Sequence, residues 1–156
     1  MRAIYSGTFD PITNGHLDII ERASKIFDTI IIAVATSSSK KPMFNISQRV
    51  EMIESATAKI DGIKVIAFDN LLVEFAKNNR VDTIIRGIRS VGDFEYEQSM
   101  EYANSSLNSK IETIYLMPKL EYSYISSSLV RTLIEFNGKI SHLIPLEVNK
   151  LIESYK

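Results

Sequence analysis

Short apolar runs alternate along this chain with longer segments in which apolar residues recur every three or four positions. The runs fall at residues 3–6, 29–35, 64–68, 83–85 and 113–117, and their length and composition predict strands. Between them the spacing is helical. Leu17, Ile19, Ile20, Ala23, Ile26 and Phe27 share one side of a first helix, and Val50, Met52, Ile53 and Ala56 one side of a second. Asn45 opens the second helix with Gln48 three positions on, the pattern of a capping box. Further helices are predicted over residues 72–78 and 94–107. Another runs from the serine triplet Ser126-Ser127-Ser128 to a C-cap glycine, Gly138, and a last one starts at Pro145 and passes through Leu151. This alternation predicts an α/β fold: a doubly wound, five-stranded parallel sheet with helices on both faces, forming one Rossmann-like domain over residues 1–156.

Composition narrows what such a domain can do. Lysine and arginine total 18 against 19 acidic residues, so there is no bulk positive field for nucleic acid or an anionic membrane. An anion must be held by a local cluster. The chain has no cysteine, which removes disulfides, thiolate catalysis and cysteine metal sites together. His16 and His142 are the only imidazoles, and His142 reads as structural. The longest apolar run, residues 30–35, is far too short to span a bilayer, and neither end reads as a signal peptide. The expectation is a cytoplasmic protein with no nucleic-acid or membrane partner and no metal site built from its own side chains.

The chemistry concentrates after the first strand, in Gly7-Thr8-Phe9-Asp10-Pro11-Ile12-Thr13-Asn14-Gly15-His16. A glycine, a hydroxyl residue, a turn fixed by proline and then Gly-His at the mouth of a helix bring free backbone N–H groups, a hydroxyl and an imidazole into one crevice. A helix N-terminus suits phosphate, because its first N–H groups are unpaired and the macrodipole is positive there. The plainer alternative is an ordinary strand-to-helix turn in which His16 caps or packs. Arg86 and Arg89 follow the fourth strand with Gly87 between them, a two-phosphate clamp or two ion pairs with Asp93, Glu95 and Glu97. In the serine triplet, one hydroxyl or two would serve as N-cap, and three also suit an anion. Leu71, Leu72 and Phe75 read as core.

Taken whole, Gly-Thr-Phe-Asp-Pro-x-Thr-x-Gly-His resembles the signature of the nucleotidyltransferase superfamily, whose tetrad here is Thr13-Asn14-Gly15-His16. The Thr form is similar to the phosphopantetheine adenylyltransferase family. Three more segments resemble that family in its order: Ser39-Lys40-Lys41-Pro42-Met43-Phe44, Ile85-Arg86-Gly87-Ile88-Arg89 with Asp93-Phe94-Glu95-Tyr96-Glu97, and Tyr124-Ile125-Ser126-Ser127-Ser128-Leu129-Val130-Arg131. The resemblance implies transfer of the adenylyl group of ATP to 4'-phosphopantetheine, giving dephospho-coenzyme A and pyrophosphate.

The attacking phosphate is already ionised near neutral pH, so the reaction asks for positioning and charge neutralisation more than for a base. By resemblance, His16 meets the α-phosphate, Thr8 orients the incoming phosphate, and Lys40 serves both. Arg86 would face the phosphate of phosphopantetheine, and Leu72 its arm, with Tyr96, Met100 and Asn104 as weaker candidates. Phe9, Gly87, Ile88, Arg89 and Glu97 would line the ATP site, with Tyr122, Ser123, Tyr124, Ile125, Ser126, Ser127 and Ser128. Of these Tyr122 would lie on the adenine, where many relatives carry Trp. Mg²⁺ would be held mainly through substrate phosphates, and the family commonly forms hexamers. Ser6 and Ser38 stand where relatives usually have Pro, Gly92 where Ala is common, and Asn70 and Glu74 vary a third segment. The competing readings are another adenylyl- or cytidylyltransferase of the superfamily, or a catalytically silent nucleotide sensor.

Overall fold

The computed structural model describes residues 1–36 and 41–155. Five strands form one parallel sheet: β1 (Arg2–Gly7), β2 (Thr29–Ala35), β3 (Ile63–Phe68), β4 (Thr83–Gly87) and β5 (Glu112–Leu116). Their order is β3-β2-β1-β4-β5, so the chain builds outward from β1 in one direction and then crosses back to build in the other. Six helices follow: α1 (Asn14–Ala23), α2 (Ile46–Thr57), α3 (Leu72–Asn79), α4 (Val91–Leu107), α5 (Ser127–Glu135) and α6 (Leu146–Ser154), with a 3₁₀ turn at Leu120–Tyr122.

The period of two along each strand divides the core. Ala3 and Tyr5 of β1, Ile30, Ile32 and Val34 of β2, and Ile85 of β4 pack with α1, α2, α5 and α6 on one face. Ile4, Ile31, Ala33 and Ile84, their alternates, pack with Val73, Phe75 and Ala76 of α3 on the other. Central strands apolar on both faces are what a sheet covered twice requires. The doubly wound α/β architecture expected from the alternation is therefore the one observed.

Several boundaries shift for local reasons. The predicted apolar side of α1 ran through Ile26, but the helix ends at Ala23. Ile26 is 55% exposed while Phe27 is buried. The predicted 94–107 helix begins at Val91, because the Ser90 side chain accepts the Asp93 N–H and caps it. At the end of α5, Gly138 does not supply the left-handed residue. Asn137 takes that conformation at φ 55°, its N–H bonding Ile134 O at 3.1 Å and the Gly138 N–H bonding Leu133 O at 2.7 Å. This is a Schellman pattern with glycine one position further out. Among the described residues no helix is long and apolar enough to cross a membrane.

Candidate active site

The carboxyl ends of β1 and β4, where the sheet changes direction of growth, are where an open α/β sheet presents its ligand crevice. A crevice of about 280 Å³ opens there, lined by Tyr5, Thr13, Gly15, His16, Ile19, Gly87, Arg89, Asp93, Glu97, Pro118, Ile125 and the serine triplet. Of the residues singled out from sequence, it brings together His16, Gly87, Arg89, Glu97, Ile125, Ser126, Ser127 and Ser128. Phe9 stands against His16 on the turn after β1, Thr8 precedes it on that turn, and Arg86 pairs with Glu97; none of Thr8, Phe9 and Arg86 lines the crevice. Leu72 is half-buried against the α3 core. Tyr122 packs on the core of the other face, and Tyr124 is exposed. Lys40 lies outside the described residues.

The turn after β1 is tightly built. A Cβ at Gly7 would come within 3.2 Å of the Phe9 ring, and Phe9 itself holds φ 49°, which few residues with a side chain adopt. Buried Asp10 accepts the N–H groups of Met43 and Phe44, each at 2.9 Å. The turn is also tied to α5: Ser127 Oγ donates to Pro11 O at 2.8 Å and Arg131 to Asp10 O at 2.7 Å.

His16 occupies the third position of α1 and closes a capping box with Thr13. Its Nδ1 accepts the Thr13 N–H at 3.1 Å, and its own N–H donates to Thr13 Oγ1 at 3.3 Å. Because Nδ1 is occupied as an acceptor, the ring proton of the neutral imidazole sits on Nε2. The ring lies edge-on to Phe9 at 5.1 Å. Burial, reinforced by the nearby Arg89 charge, pushes its pKa down to about 4. His16 is therefore a neutral donor at physiological pH. His16 thus closes the cap and also lines the crevice.

Both arginines are paired. Arg86 Nε bonds Glu97 at 2.7 Å, and its Nη1 donates to Ser6 O at 2.7 Å and Ser6 Oγ at 3.0 Å. Arg89 grips Asp93 through Nε at 3.1 Å and reaches Ile125 O at 2.9 Å. These pairs set the guanidinium groups in fixed orientations at the crevice while leaving other N–H donors. In the serine triplet, Ser126 is the cap, accepting from Leu129 N at 3.1 Å. Ser127 clamps Pro11, and Ser128 meets Arg131 at 3.1 Å. One hydroxyl caps, so the other two are not explained by capping.

Sequence reasoning passed over several participants. Tyr5 faces the crevice because alternation along β1 aims it there, and burial raises its pKa well above the usual phenol range. Asp93 was not among those passed over: its ion pair with Arg89 is one of the two readings offered from sequence. Asp18, buried on the apolar side of α1, accepts Lys119 N at 3.0 Å and so holds the loop after β5. Arg49 carried no motif signal; of its partners Phe44 is near in sequence, but Ala35 and Thr8 are 14 and 41 residues away. Among the described residues no group of three or more His, Asp or Glu side chains is placed to hold a metal ion.

The family model described as cytidylyltransferase-like matches residues 4–133. Phosphopantetheine adenylyltransferase from Campylobacter hominis is 58% identical over 98% of this chain and 96% of that protein. The chain belongs to the phosphopantetheine adenylyltransferase family. The adenylyltransferases of that name from Nautilia profundicola and Wolinella succinogenes are 57% and 54% identical, over 96% and 97% of this chain and 97% and 94% of theirs. A family shared at this identity from end to end covers the turn after β1, the β4 arginines and the serine helix alike.

Proposed function

We infer that this chain transfers the adenylyl group of ATP to 4'-phosphopantetheine, releasing pyrophosphate and forming dephospho-coenzyme A. One observation carries the reading: a neutral imidazole, an arginine and the N-terminus of the serine helix converge on one crevice at the switch point of a sheet whose family carries that name. A phosphate oxygen of phosphopantetheine attacks the α-phosphorus, the bond to the bridging oxygen breaks, and pyrophosphate leaves with the electron pair. No side-chain nucleophile is needed. Charge grows on the α-phosphate oxygens as the step proceeds, and preorganised donors aimed at that charge lower the barrier.

In this reading His16 offers its Nε2–H to the α-phosphate, and Thr8 with Lys40 orients the incoming phosphate. Arg86 and Leu72 serve phosphopantetheine. Phe9, Gly87, Ile88, Arg89 and Glu97 serve ATP with the 122–128 segment, where the serines and the dipole of α5 receive the β- and γ-phosphates. A divalent cation, Mg²⁺, would enter on the nucleotide as part of the substrate, held mainly through its phosphates. Excess chelator should then abolish turnover, and full activity in its presence would count against this.

The assembly we infer is a homo-oligomer, a hexamer by family resemblance. None of the 17 residues of α4 is buried, and Val91, Tyr96, Tyr102 and Leu107 on it, with Ile114 and Met117 beside it, are exposed. A second copy would cover such a surface. The substrate assignment is tested by pyrophosphate release from ATP. It should appear with 4'-phosphopantetheine and not with nicotinamide mononucleotide under matched conditions; equal turnover of both would overturn the assignment.

A further inference from the structure

Arg49, at the start of α2, is only 1% exposed, and its partners are all backbone. Nε donates to Phe44 O at 3.0 Å, and Nη1 donates to Thr8 O and to Ala35 O, each at 2.8 Å. One guanidinium thus joins the turn after β1, the end of β2 and the residue leading into α2. Desolvating a cation here is costly, and an apolar side chain of similar length would pack the same space. The charge has to be explained by what it holds.

The carbonyl of Thr8 is the informative partner. In a planar trans peptide the C=O and the following N–H point in opposite directions. Drawing the Thr8 carbonyl toward α2 therefore turns the N–H of Phe9 away from it. Phe9 is 3% exposed, and among the described residues its N–H has no acceptor. Buried N–H groups without partners are rare in folded proteins, so this one calls for an explanation. The other carbonyls of the turn, at Asp10 and Pro11, are held by Arg131 and Ser127, which leaves the peptide little freedom to rotate.

We propose that Arg49 is a positioning residue for adenylyl transfer, fixing the Thr8–Phe9 peptide so that the Phe9 N–H is presented to a phosphate of ATP. This rests on the reading of the crevice as the ATP site. The test uses the full chain with Arg49→Lys, which keeps the charge but not the three-way reach, and Arg49→Met, which keeps the volume without a donor. At least one of the pair should fold with a cooperative melt. Its kcat should fall about tenfold or more while KM for phosphopantetheine moves less than about threefold, the pattern of a misplaced transition-state contact. In protein carrying ¹⁵N-phenylalanine, the Phe9 amide should shift on addition of a non-hydrolysable ATP analogue in the unmutated chain and not in the variants. A folded pair with undiminished kcat, an unaltered Phe9 response, or failure of both variants to fold would overturn the proposal. Failure of the substrate reading itself would appear separately, as an unmutated chain that releases no pyrophosphate; the amide response would still decide the role of Arg49.

Discussion

On the proposed reading His16 does two jobs through two nitrogens, and substitution can separate them. Nδ1 serves the helix cap, and Nε2 would serve the crevice that the residue lines. His16→Gln keeps an acceptor for the Thr13 N–H but shortens the reach toward the crevice, whereas His16→Ala removes both. Loss of the cap should lower the stability of the alanine variant by about 1 kcal/mol, with the glutamine variant closer to the parent in thermal melts. Turnover should fall in both by roughly 10² to 10³, the scale for one preorganised donor to developing charge. Equal stability with unequal turnover would contradict this division of labour. The depressed pKa has its own consequence. The folded ring titrates near 4 and the unfolded one near 6.5, so as pH falls the unfolded chain takes the proton first. The group contributes stability that is present above 6.5 and lost as pH drops toward 4. Ring ¹⁵N shifts should show His16 neutral at pH 6, and a ring already protonated there would refute the assignment. Arg86 and Arg89 separate in the same way. Arg89→Ala should weaken ATP more than phosphopantetheine, and Arg86→Ala the reverse, as calorimetric titration with each ligand would reveal. Ser6 adds a hydroxyl contact to Arg86 that proline at that position lacks.

At the scale of elements, stability hangs on a few close approaches. Gly62, leading into β3, holds φ +78°, and a Cβ there would meet Asp28 O at 2.3 Å. Gly62→Ala combines left-handed strain with a backbone clash that no rotamer relieves, and should cost on the order of 2 kcal/mol or more in denaturant unfolding. A loss under half of that would mean the turn relaxes easily. The strands and helices themselves were legible from periodicity to within a few residues, because burial on two faces leaves a clear pattern. The Asn45–Gln48 box was legible too, since both partners lie within one turn. What escaped is long-range: Arg49 reaching Thr8, Arg131 reaching Asp10, Asp18 reaching Lys119. A buried polar side chain in a helix looks in sequence like any exposed one, and its partner is set by how the elements pack. The site was legible where its residues cluster in motifs, and opaque where a single side chain works across the fold.

At the scale of the whole molecule, exposed apolar side chains are concentrated along α4. α4 and β5 carry seven of the fifteen exposed large apolar side chains among the described residues, and a helix without buried residues is poorly held by its own chain alone. Sedimentation equilibrium should therefore find an assembly rather than a monomer, and Phe94→Glu with Tyr102→Glu should shift it toward smaller species. A monomeric parent chain would overturn the inferred assembly.

The strand order has a consequence for how such a chain comes into being. β1, β2 and β3 are neighbours both in sequence and in the sheet, but β4 pairs with β1 through only two registered positions, Ile4 with Ile84 and Tyr5 with Ile85. Arg86 meets Ser6 across 80 residues, and Ser127 meets Pro11 across 116. No stretch of chain ending before β4 contains both walls of the crevice, so the crevice exists only once the chain has been made through the serine helix.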